Sequence, residues 1–154
     1  MKNIFIRVIV SALLLSGLSV NGQTTSDSTK TTPKKYQAKA TATQPFGVKA
    51  FSKSKKTTLR WLGMAGFLIN SRGTTFMVDP LLEGFDMPMM IDFPILAKNV
   101  PQLDAVFVTH ADNDHFSVPT NVAMSKVTDV YHTTVYVDSL MKNLSLKSIG
   151  HIIG

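Results

Sequence analysis

The sequence predicts an α/β fold, a central β-sheet with helices covering its faces. Two observations carry that expectation. Strand-type patterning at 57–79 gives way to a stretch in which strand-like and helix-like signals alternate: an apolar run at 103–108, a helical pattern at 117–129, β-type residues from 130 and a second helical pattern from Asp138. The apolar run ends in a knot of polar, ligand-type residues, and open α/β sheets carry their chemistry at the C-terminal ends of strands. A chain of 154 residues is long enough for one domain with a real core.

The elements follow in order. "MKNIFIRVIVSALLLSGLSVNG", 1–22, has Lys2 and Arg7 near its start, an apolar run from Val8 to Val20 and compact residues up to Gly22. That is the three-part layout of a secretory signal, with cleavage expected between Gly22 and Gln23 and a periplasmic or secreted product. The run is shorter than the about 20 residues a bilayer span needs, so no stable membrane span is expected after cleavage. There is no cysteine, which excludes disulfides, thiolate metal sites and a lipid-modified signal. Residues 23–56 are rich in Thr, Ser, Lys and Ala, with eight lysines and one acid, Asp27. Such a segment buries too little surface to offset the entropy of ordering it, and reads as a disordered linker. It has no aromatic interleaving, so no nucleic-acid partner is expected. The net charge of +6 belongs to these first two segments, because residues 57–154 carry six basic residues and nine acids.

"TTLRWLGMAGFLIN", 57–70, reads as a strand in which Gly63 and Gly66 mark a bend or a close backbone approach. "SRG" turns the chain and "TTFMVDP" returns it as a hairpin, with Pro80 leaving Asp79 at the strand's C-terminal end. Residues 81–102 have no clean period, three prolines and three methionines, and read as a long loop. Substrate contact and core filling are equally open for it. "LDAVFVTH", 103–110, reads as a strand buried on both faces. Residues 117–129 read as a helix capped by Ser117 or Thr120, with Val122, Met124 and Val127 facing inward. Residues 130–144 begin as strand and become helical around Asp138.

"HADNDH", 110–115, puts four oxygen or nitrogen donors into six positions. Extended residues two apart point the same way, so His110 and Asp112 can reach one ion from a strand end. The turn chemistry of Asn113 and Asp114 can swing Asp114 and His115 toward a second. Imidazole and carboxylate both suit zinc. The plainer reading is a polar turn with surface histidines, but four donors directly after the most apolar strand favour a metal.

"VTHADNDH" resembles the metal-binding signature of the metallo-β-lactamase superfamily, His-x-His-x-Asp-His after a buried strand. "LRWLGMAGFLI", "TTFMVDP" and "VPQLDAVFVTH" stand upstream in the matching order, so the resemblance covers about residues 57–154. It is specific for the superfamily and not for a substrate. It implies an αββα sandwich, of which this sequence carries the N-terminal half. Among the superfamily's branches it is most similar to the metal-dependent hydrolases that include sugar-phosphate lactonases and phospholipid-cleaving phosphodiesterases. His110 and Asp112 would then bind a first metal, and Asp114 and His115 a second. Asp114 would also orient the metal-bound hydroxide that attacks an ester, lactone or phosphodiester, and Asp79 would support the site. The implied cofactor is one or two divalent ions, zinc first, with manganese or iron as alternatives. The implied substrate is a small or lipid-like molecule.

Two departures stand out. Position 112 is Asp where the superfamily usually has His, which adds negative charge and suits harder ions. The later histidines and bridging aspartate of the pattern are absent from this sequence. His132 reads as a paired or capping strand histidine and His151 as a loop residue, neither as a ligand. A half domain would expose an apolar sheet face and open edges, and would call for a homo-oligomer or a complementing half. The function expected is therefore an exported, truncated metal-dependent hydrolase. The alternatives are a catalytically inactive fragment and a secreted binding module using loop 81–97.

Overall fold

A computed structural model describes residues 40–152. The expected signal, its cleavage point and residues 23–39 of the expected linker lie outside the described residues. Among the described residues no helix is long and apolar enough to cross a membrane.

Residues 57–70, expected as a single strand, fall in two: β1 (Thr57–Gly63) and β2 (Gly66–Ser71), antiparallel. The chain reverses at Gly63 and Met64, both with positive φ, of 100° and 48°. The turn is apolar in sequence, which hid it among strand residues. Trp61 secures it by donating its indole N–H to the Met64 carbonyl at 2.9 Å. β3 (Thr74–Val78) then pairs antiparallel with β2 around the expected Arg72-Gly73 turn. From here the sheet becomes parallel, adding β4 (Ala105–Val108), β5 (Tyr131–Thr134) and β6 (Ser148–His151) in sequence order. β6 replaces the loop expected there.

Two helices link the parallel strands. α1 (Val118–Ala123) is capped by Ser117, whose hydroxyl accepts the Thr120 N–H. Met124 faces the core, whereas Val122 is exposed, contrary to the inward orientation expected. α2 (Val135–Asn143) starts three residues before the expected Asp138 and buries Val137 and Met141. Helices and loop cover one face of the sheet, where Leu62, Leu68, Met77, Val106, Val108 and Tyr131 form the core.

The opposite face stays open among the described residues. Period-two alternation and the strand register put Leu59, Trp61, Phe107 and Ile149 there, all exposed. Phe107 corrects the expectation that β4 is buried on both faces. Val106 and Val108 point into the core, and Phe107, 40% exposed, points out.

Loop 81–102 divides its work. Leu81, Leu82, Ile95 and Val100 at its ends are buried, while Met87 and Met90 are exposed. Thr120 Oγ1 ties its start to α1 by accepting the Leu82 and Glu83 N–H groups. The folded part also begins before position 57. Ala50 is buried and Phe46 and Phe51 pack on the core, with the Asn70 amide donating to the Ala50 and Ser52 carbonyls.

Candidate metal centre

β3 and β4 end side by side, with Val78 paired to Phe107, so Asp79 and the Thr109–His110 pair leave neighbouring strands at the same level. Asp79 sits at φ 41°, a left-handed conformation that aspartate tolerates better than most residues. Its N–H stays tied to the Phe107 carbonyl at 2.9 Å. Gly66 makes room for this bend, because a Cβ there would lie 3.1 Å from the Asp79 carbonyl oxygen. The close backbone approach expected at Gly66 is thus where the site is built.

The Asp79 side chain is only 4% exposed and accepts three hydrogen bonds. Thr109 N–H donates to Oδ1 at 2.8 Å, Thr109 Oγ1–H donates to Oδ2 at 2.7 Å, and His115 Nδ1 lies 2.9 Å from Oδ2. An ionised carboxylate can only accept, so His115 carries its proton on Nδ1 and, as a neutral ring, leaves Nε2 with a free lone pair. The Thr109 hydroxyl, having given its proton to Asp79, accepts from His110 Nδ1 at 2.9 Å. A neutral His110 ring donating there presents Nε2 as its acceptor. A single buried carboxylate sets both tautomers, one directly and one through a threonine, which is how metal-ligating imidazoles are usually oriented.

The turn that follows aims the second ring. The Asp112 carbonyl accepts from His115 N–H at 2.9 Å and from Phe116 N–H at 2.7 Å, and Phe116 is anchored in the core. His110 and His115 end with ring centroids 3.9 Å apart. Each free Nε2 faces a carboxylate. His110 Nε2 is 3.3 Å from Asp112 Oδ2, and His115 Nε2 is 3.7 Å from Asp114 Oδ2. Two ligands of a tetrahedral ion with bonds of about 2.0–2.1 Å stand about 3.3 Å apart, so the first pair fits a shared divalent ion and the second is slightly wide. Exposure runs from 21% at His115 to 77% at Asp112, which leaves the donors open to solvent. Among the described residues no three of these side chains converge on one point.

All five expected site residues, Asp79, His110, Asp112, Asp114 and His115, thus come together at one end of the sheet, in the pairs 110/112 and 114/115. His132 and His151 stand apart as a mutual pair on β5 and β6. Sequence reasoning missed Thr109. Its residue type carries no ligand signal, and only its place between a strand-end Asp and a histidine points to it.

A mixed sheet, helices on one face and His/Asp donors at the strand ends define a metallo-β-lactamase-like α/β domain. The chain belongs to the beta-lactamase superfamily, whose domain matches residues 58–149. It is similar to a UPF0173 metal-dependent hydrolase of Nanoarchaeum equitans, 27% identical over 99 residues, covering 62% of this chain. The matched part spans 37% of that relative's length. Its fold is similar to CmlA, a diiron beta-hydroxylase from Streptomyces venezuelae, at a TM-score of 0.50 and 20% identity, over 64% of this chain and 21% of that one.

Proposed function

We propose that this protein is a metal-dependent hydrolase acting on an ester, lactone or phosphodiester. The observation that carries the reading is the Asp79 network, which engages Nδ1 of both His110 and His115 and leaves each Nε2 beside a carboxylate. The description of the Nanoarchaeum relative as a metal-dependent hydrolase supports it. A bound divalent ion, zinc first and manganese or iron as alternatives, would bring the pKa of water toward neutrality and polarise the electrophile.

The chain's own residues divide the remaining work. His110 with Asp112, and Asp114 with His115, would hold the cation. Asp79 and Thr109 fix the ring orientations. Asp114, about one-third exposed, would also orient the attacking hydroxide. The open donors favour a substrate approaching from solvent at the strand ends, and the leader at 1–22 supports a periplasmic or secreted location.

A second reading, a fold segment that binds metal without turnover, is favoured by one observation: each pair offers two donors, whereas catalytic zinc sites use three. Incubating the chain with zinc, manganese or iron(II) and an activated phosphodiester or lactone separates the two. The hydrolase reading expects turnover that is lost on chelation and falls at least about 100-fold in His115→Ala. Metal binding without turnover would establish the second reading.

A further inference from the structure

We propose that His132 and His151 form a second metal site, distinct in its donors from the HADNDH cluster, for a divalent ion that accepts square-planar or tetragonal coordination such as copper(II) or nickel(II). The site rests on donor placement. β5 and β6 run parallel, with His132 opposite Ile149 and Thr134 opposite His151, so the two rings meet diagonally on the open face of the sheet. His132 Nδ1 and His151 Nε2 stand 2.9 Å apart and share one proton, and the ring centroids are 5.2 Å apart. Phe107 stacks on His132 at 5.1 Å and 22°, fixing the plane of that ring. The rings line a hollow of about 240 Å³ with Thr109, Thr134 and Ile152, open enough for water to complete a coordination sphere.

With metal–nitrogen bonds of about 2.0–2.1 Å, two ligands at a right angle stand about 2.9 Å apart, and two at a tetrahedral angle about 3.3 Å. The observed 2.9 Å is a hydrogen-bond distance close to the right-angle edge, so the two nitrogens can become neighbouring ligands of a tetragonal ion once both rings turn their lone pairs off the N···N line. On binding, the proton between the rings leaves the N···N line. The ring that carried it takes up a proton at its other nitrogen, and both facing lone pairs turn to the metal. Half-buried His132 or exposed His151 alone offers a single nitrogen, so both are required.

The test is copper(II) binding to untagged full-length chain carrying His110→Ala and His115→Ala, which removes the first cluster from the readout. Calorimetry and electron paramagnetic resonance should show one copper bound by two imidazole nitrogens, with affinity falling at least about tenfold on adding either His132→Ala or His151→Ala. His132→Gln, which keeps a polar side chain of similar bulk, should lose the signal equally, and thermal melts should show that each variant folds. One-imidazole coordination, or affinity unchanged by either substitution in folded protein, would overturn the site. Neither result bears on the hydrolase reading, whose two histidine ligands are absent from every protein in the comparison.

Discussion

Asp79 faces His115 directly and reaches His110 through the Thr109 hydroxyl, so its accepted bonds orient both rings. Asparagine at this position has one acceptor oxygen in place of two and a competing N–H donor, so it cannot accept the Thr109 N–H while its oxygen receives the Thr109 hydroxyl and His115 Nδ1. Asp79→Asn is expected to weaken zinc binding about 10- to 100-fold by calorimetry, in line with the loss of other such supporting carboxylates. Thr109→Val should weaken it less, because only His110 loses its partner, and Thr109→Ser should restore it. The residues with ligand chemistry, His110, Asp112, Asp114, His115 and Asp79, were legible in the sequence because type and spacing carry the signal. Thr109 was not, since its part depends on which way a hydroxyl proton points.

Strand and helix faces set the next scale. Leu68 on β2 is buried and Leu59 on β1 is 65% exposed, although both belong to the same apolar stretch. Urea unfolding should show Leu68→Ala costing about 2–5 kcal/mol and Leu59→Ala no more than about 0.5 kcal/mol. Equal costs would mean the open face is not open. Asp138 joins α2 to β6, accepting from Lys142 Nζ and Ser148 Oγ, each at 2.6 Å. The Lys142 contact first, and Ser148 with it, hold its carboxyl below its ordinary value of 3.8. The folded pKa lies below the unfolded one, so the contribution is full above 3.8 and lost as pH falls below it. The wild-type urea midpoint should drop in that acid range by more than that of Asp138→Asn. The hairpin at 63–66 and the short β6 escaped the sequence reading for one physical reason. Neither carries a polar turn or a long period, and tertiary pairing defines both.

For the whole molecule, the alternation of β and α signals after residue 100 was enough to give the α/β class, because a parallel strand needs a crossover and helices supply it. What alternation does not reveal is which sheet face is covered, and here that matters most: one face packs a core while the other displays Leu59, Trp61, Phe107 and Ile149. The metal centre lies where β3 and β4 end, so the sheet, the glycine that lets β2 approach and the buried Asp79 act as one device for aiming two imidazoles. Nitrogen-15 NMR of the histidine rings during a zinc titration tests this most directly. In metal-free protein His110 and His115 should both be Nδ1–H tautomers, and zinc should move their Nε2 resonances while Nδ1 stays protonated. Nε2–H tautomers at either ring, or zinc arriving at Nδ1, would contradict the account.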